Sequence, residues 1–293
     1  MYKSIEQLLK DADTLDLPLW QVIRGEDCEE QGISIEESQE KMLALYTAMK
    51  ESDSSYDPST RSASGLIGGE AALIEERRYA KKLLIGDFLG RIMERALKVA
   101  SSNACMKRIV AAPTAGSCGV VPAVLITMQE EFEYSDDEMV EALYIVAGIG
   151  GVIASRATLS GAEGGCQAEI GSASAMAAAA VAYLKGGTNE EIVHASALAL
   201  KGLLGLACDP VAGLVEVPCV KRNVIGAINA ISSCDMALAG IRSAVAPDQV
   251  YDAMRNIGHC MSSDIRETGI GGLAGTKDGI KIKQKLFNQT PLK

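Results

Sequence analysis

Between Gly171 and Leu184 the chain reads GSASAMAAAAVAYL, an uncharged stretch that is small on every face of a helix. Such a helix offers no polar stripe to water, and its thin surface lets neighbouring helices approach closely from several sides. It belongs at the centre of a core. The rest of the chain agrees: aromatic residues are only 4%, 29 residues are glycine, and alternating β-branched runs that mark strands are few. The expected fold class is mainly α, a multi-helix single domain built around this buried Ala/Gly-rich helix.

Start signals support that reading. Ser34 with Glu37, Ser135 with Glu138 and Thr188 with Glu191 each have the spacing of a capping box ahead of an apolar periodic stretch. Helices are expected at about 4–11, 16–24, 34–52, 70–100, 119–131, 136–157, 166–185, 189–206, 222–241 and 247–260. The polar, proline-containing run SDSSYDPSTRSAS, Ser52 to Ser64, is a loop. The segment 1–52 before it is too short and polar to bury a core of its own. It is expected to be a helical N-terminal subdomain of one domain spanning 1–293.

Charge and cysteine usage narrow the function. A net charge of -10 leaves no concentrated basic face for phosphate backbones, which argues against nucleic acid; Arg77, Arg78, Lys81 and Lys82 read as a solvated helix face. The opening MYKSIEQLLKDADTLDLPLW lacks the layout of a secretory signal, so a cytoplasmic location is expected. In that reducing setting the eight cysteines point to metal binding or buried thiols rather than disulfides. The most apolar run, Met139 to Ala154, is interrupted by Glu141 and a Gly-Ile-Gly-Gly break and falls short of the roughly 20 residues of a membrane helix, so no membrane partner is expected.

Three cysteines have settings suited to a soft metal. Cys166 sits in GAEGGCQAEIG, where Gly164 and Gly165 remove Cβ atoms; Cys208 and Cys219 bound CDPVAGLVEVPC, stiffened by Pro210 and Pro218. Three thiolates leave an iron of a cubane cluster open to act as a Lewis acid, whereas four close it for electron transfer. The spacings, 42 and then 11 residues, match no zinc ribbon or bacterial ferredoxin. On spacing alone the three are equally consistent with buried small hydrophobes, and Cys118 is available as a fourth ligand of a closed, non-catalytic or electron-transfer site.

Two glycine-rich segments could cradle an anion. In APTAGSCGVVPAVL, Thr114, Ser117 and the backbone of Gly116 and Gly119 precede a helix, with a plain capped turn as the bland alternative. In SASGLIGGEAALI, Ser62 and Ser64 offer hydroxyls and Gly65 permits close backbone approach, although the ending of a phosphate-binding loop is missing. RETGIGGLAGT, Arg266 to Thr276, fails as a dinucleotide fingerprint. His194 and His259 read as structural, and none of Lys107, Lys201 and Lys221 stands out as a nucleophile, so the chain displays no evident general base.

Taken together, APTAGSCGVVPAVL, SGAEGGCQAEIGSASAMAAAA, CDPVAGLVEVPCVKRN and RETGIGGLAGT resemble the iron–sulfur-dependent L-serine dehydratases, over residues 60–276. The resemblance implies a catalytic domain whose 60–276 body binds a [4Fe–4S] cluster through Cys166, Cys208 and Cys219. It implies a lyase that deaminates L-serine to pyruvate and ammonia by α,β-elimination, an L-serine ammonia-lyase, with the open iron polarising the serine hydroxyl and no pyridoxal phosphate. Thr114 and Ser117 are then carboxylate ligands, and Asn223, Ser62, Ser64 and Gly65 further substrate contacts. The same chemistry on L-threonine or L-cysteine is the alternative. The chain resembles the alpha chain of the two-chain type, which implies a hetero-oligomer with a separate beta chain as the source of the general base or of a substrate-orienting histidine, the catalytic residue of this chain being unknown. Two departures stand out. Ala115 replaces an Asn found in some relatives, and the chain ends KLFNQTPLK where some single-chain relatives end in a cysteine.

Overall fold

The computed structural model describes residues 2–289; the end of the KLFNQTPLK tail lies outside them. Among the described residues there are thirteen α-helices and no strand. They are α1 (Ile5–Leu15), α2 (Leu19–Gln31), α3 (Ile35–Ser54), α4 (Glu70–Tyr79), α5 (Gly86–Ala104), α6 (Val120–Phe132), α7 (Asp136–Arg156), α8 (Gly161–Gly164), α9 (Ser172–Leu184), α10 (Asn189–Gly202), α11 (Cys219–Leu238), α12 (Pro247–Cys260) and α13 (Lys277–Gln289).

The small-residue helix is where its composition requires. Every residue of α9 from Ser172 to Ala182 is buried, and α6, α7, α10 and α11 all pack on it. Its side chains are too short to separate those neighbours, so polar groups bond across the gaps: Ser174 Oγ donates to Gly226 O of α11 (2.7 Å), and Asn229 Nδ2 donates to Ser174 Oγ (2.9 Å) and Ala199 O (2.8 Å). A Cβ at Gly226 would stand 2.9 Å from the Ile170 side chain, so glycine sets the helix separation there. The N-terminal helices join the same core. Ile5, Leu8, Leu19, Val22, Ile23, Tyr46 and Met49 belong to one buried cluster with α7, and Ile23 sits where a Cβ of Gly148 would be, 2.3 Å away. Each such aliphatic side chain contributes about 1.5–3 kcal/mol of burial.

Ser135 and Thr188 form reciprocal capping boxes with Glu138 and Glu191, while Ser34 accepts from the Glu37 amide. The single helix expected over 70–100 is two. Lys81 and Gly86 take left-handed backbone (φ 54° and 76°), and Arg78 then ties α4 back to α5 through Glu94 (2.9 Å) and Asp87 (3.1 Å). The helix expected from 166 begins instead with a wide, five-residue turn, Gln167–Gly171, and α10 stops at Gly202 rather than 206. The α7 helix, at 21 residues, is long and apolar enough by composition to cross a bilayer, beyond what the interrupted run suggested; its apolar surface is taken up by α2, α3, α9 and α12.

Candidate functional site

Cys166, Cys208 and Cys219 are all buried and come to one place from three separate segments. Cys166 precedes the wide turn, a rare geometry that recurs at functional sites. Its neighbour Gln167 locks the segment: its amide N–H donates to Leu206 O (3.0 Å), Nε2 donates to Met254 O (3.0 Å), and Oε1 accepts from Gly205 N (2.8 Å). Cys208 is held by a short parallel pairing with the RETGIGG segment, Cys208 N to Ile265 O (2.9 Å) and Glu267 N to Cys208 O (2.7 Å). Cys219 opens α11, directly after Pro218, and Val211 N to Val217 O (2.8 Å) closes the loop between the two thiols.

The thiols interact. Burial raises all three, Cys166 to about 11 and Cys219 to about 12; Cys208 is raised by burial and then by Glu169, Cys166 and Cys219. Left without a cation they stay protonated, and a soft metal would reverse that preference. Arg222 supplies the nearest positive charge. Its guanidinium pairs with Asp209 (2.9 Å), donates to Ala207 O (2.7 Å) and hydrogen-bonds the Cys166 sulfur.

Glu169 lies beside them, half-buried, with its carboxyl raised by burial. Thr114 Oγ1 donates to Oε1 (2.7 Å), and Cys208 Sγ donates to Oε2 (3.7 Å). The space is kept by missing Cβ atoms. One on Gly161 would stand 2.6 Å from Glu169 Oε2 and 3.0 Å from Cys208 Sγ, and one on Gly116 would stand 3.0 Å from Glu169 Oε1.

Among the described residues no three His, Cys, Asp or Glu side chains converge closely enough for a single ion. The donor set itself, three buried thiols beside one guanidinium, has the chemistry of a soft, thiolate-bound centre. Cys118 is not part of it. It is buried against α5, with Sγ directed at Val99 O (3.9 Å), and its thiol is pushed up to about 12 by burial with no contribution from the other three.

The remaining expected residues fall into two groups. Thr114 and Ser117 cap each other ahead of α6, and Thr114 reaches Glu169. Asn223 joins this turn to α11: Oδ1 accepts from Gly119 N (2.8 Å), and Nδ2 donates to Gly116 O (2.8 Å) and Cys219 O (2.9 Å), so its amide is engaged by backbone. Ser62 and Ser64 both donate to the buried Glu216 carboxylate of the Cys208–Cys219 loop, and Gly65 makes the turn (φ 75°) with Gly65 N donating to Ser62 O (2.8 Å). His194 Nδ1 accepts from Ser243 N (3.2 Å), while Lys107 and Lys221 bond Ser55 O and Glu70.

Glu169, Arg222, Asp209 and Glu216 were not anticipated. A spacing signal exists for the first three: Glu169 and Arg222 each follow a candidate cysteine by three positions, and Asp209 follows one directly. The RETGIGGLAGT segment, set aside as a dinucleotide fingerprint, also belongs here. Leu273 N donates to Asp209 Oδ2 (2.8 Å), and a Cβ on Gly272 would stand 2.4 Å from that oxygen.

Residues 14–274 match the family described as Serine dehydratase alpha chain. The chain is 40% identical over 287 residues to the "Probable L-serine dehydratase, alpha chain" of Bacillus subtilis (strain 168), covering 98% of this chain and 96% of that protein. It is 39% identical over 290 residues to the "L-serine dehydratase, alpha chain" of Peptoniphilus asaccharolyticus, covering 99% of each. "L-serine dehydratase 1" of Escherichia coli (strain K12) is 43% identical over 181 residues, 61% of this chain and 40% of that longer protein.

Proposed function

The chain belongs to the serine dehydratase alpha chain family, and on that premise we propose that it is the alpha chain of an L-serine ammonia-lyase that holds a [4Fe–4S] cluster on Cys166, Cys208 and Cys219. The observation that carries the reading is the grouping of three buried, mutually interacting thiols beside a carboxyl and a guanidinium. When bound, the cluster supplies a Lewis-acidic iron that makes the serine hydroxyl a better leaving group.

This chain's own residues do the rest of the local work. Arg222 offsets negative charge accumulating on the thiolates and fixes Asp209, which in turn holds the 272–273 backbone. Glu169 is oriented by Thr114 so that Oε2 faces Cys208, where its carboxyl can hold or release a proton beside the thiols. The Thr114–Ser117 turn presents hydroxyls suited to a carboxylate, as a capped helix start does. Removal of the Cα proton and of hydroxide as water gives aminoacrylate, whose imine hydrolyses to pyruvate and ammonia. The base for the Cα proton comes from a separate beta chain.

The experiment is anaerobic reconstitution with iron and sulfide, followed by titration with L-serine and a pyruvate assay with and without the beta chain. The expected outcome is one cubane per chain, a serine-dependent spectral change, and loss of both in Cys208→Ser. Full iron content and activity in Cys208→Ser would overturn the ligand assignment, and a cluster indifferent to serine in the presence of beta chain would overturn the substrate.

A further inference from the structure

A cleft beside the C-terminal end of α7, with a volume of about 350 Å³, has a character opposite to the chain's net charge of -10. Arg255 and His259, one turn apart on α12, line it together with Arg266 from the segment paired with Cys208; Glu163 is the one acid on its wall. That acid already accepts the Thr158 hydroxyl (2.7 Å). The guanidiniums are poorly served by protein groups. Arg266 Nε is buried with no hydrogen-bond partner, and its Nη1 reaches only Glu163 O, at 3.5 Å. Arg255 lies 3.8 Å from Asp252, whose other oxygen is bonded to Arg156 at 2.6 Å. The His259 side chain is exposed on the cleft wall and makes no hydrogen bond or ion pair among the described residues.

A buried donor without an acceptor, as at Arg266 Nε, is costly, and a planar guanidinium fork matches two oxygens of a carboxylate or phosphate. We infer that this cleft is a binding site for a small oxyanion, held between Arg255, His259 and Arg266. Its volume lies at the lower end of small-molecule sites, which suits a carboxylic acid of a few carbons or a small phosphate ester.

The site is distinct from the thiols yet shares backbone with them. Glu163 and Gly164 on its wall belong to α8, whose Gly161 abuts Cys208 Sγ, and α12 presses on the same turn, a Cβ at Gly258 standing 2.9 Å from Gly164 Cα. An anion bridging α12 to Arg266 therefore braces the segments that carry Cys166 and Cys208.

The test is calorimetric titration of the full-length chain with inorganic phosphate and, separately, with pyruvate and succinate, at low and at 0.5 M salt. It needs no cluster and no activity, so it stands apart from the serine dehydratase assay. The expected result is one saturable site, weakened by salt and at least tenfold weaker in Arg255→Gln/His259→Gln, with the thermal melt unchanged; the tighter of the two anion types identifies the ligand class. If the double variant melts differently, Arg255→Gln alone takes its place and should still weaken binding. Binding that fails to saturate, or that falls no more in these variants than in Arg242→Gln elsewhere on the surface, overturns the proposal.

Discussion

Replacing Arg222 by Gln tests the ion pair that organises the thiol site. In the folded chain the Arg222 side chain is 17% exposed and that of Asp209 is 7%. Removing one partner of a pair this buried strands the other charge at a cost of ~3–5 kcal/mol. The lost donor to Ala207 O adds about 1 kcal/mol, and a glutamine amide recovers part of it. Taking ~3 kcal/mol as the net loss, and about 2–4 °C per kcal/mol for a chain of this size, the melting midpoint should fall by about 6–12 °C. Adding Asp209→Asn removes the stranded charge while leaving an oxygen for Leu273 N. The double variant should therefore regain ~1–2 kcal/mol over Arg222→Gln, a coupling of the size seen for residues in direct contact. Urea unfolding of the metal-free chain, followed by circular dichroism for all four members of the cycle, provides the measurement. A loss below 1 kcal/mol for Arg222→Gln, or strict additivity in the double variant, would refute the reasoning.

Three further outcomes follow from the same contacts. Gly161→Ala adds a methyl favoured in a helix by about 1 kcal/mol, yet its Cβ would stand 2.6 Å from Glu169 Oε2 and 3.0 Å from Cys208 Sγ; the fold should persist while bound iron and sulfide per chain fall, and undiminished iron would contradict the cradle. Thr188→Ala removes a reciprocal cap and should cost ~1 kcal/mol, read as a shift of about 2–4 °C in the melt. Burial pushes Cys118 and Cys234 up to about 12. Their folded pKa values lie above the unfolded one, so their contribution is intact below pH ~9 and is lost as pH rises from there, by about 1.4 kcal/mol per thiol at pH 10. Cys118→Ala/Cys234→Ala should flatten the decline of unfolding free energy between pH 9 and 10, and an unchanged slope would remove these thiols as its cause.

The central helix was legible because its pattern admits one solution: an uncharged run of alanines exposes nothing that water would hold, and α9 is accordingly surrounded. Capped helix starts at Ser135 and Thr188 were legible for a local reason, since a cap is decided within four residues. The break between α4 and α5 was not, because it rests on a left-handed Lys81 and on Arg78 reaching Glu94, a contact made only after folding. The site shows the same division. The three cysteines stood out by their glycine and proline surroundings, whereas Glu169 and Arg222 look like ordinary surface charges until the segments meet. The Asn223 amide is engaged on both ends by backbone, a state that a sequence does not display.

The pairing of Cys208 with residues 265–267 also has a meaning in time. A ribosome releases Cys166, Cys208 and Cys219 well before it releases Glu267, and until then the middle thiol has no partner strand and Asp209 has no Leu273 amide to hold. The three sulfurs thus gain their final relationship only after residues 265–273 have emerged as well. Until then a nascent chain presents separate thiols, and the geometry that any group bound by all three would require is a property of the folded molecule alone.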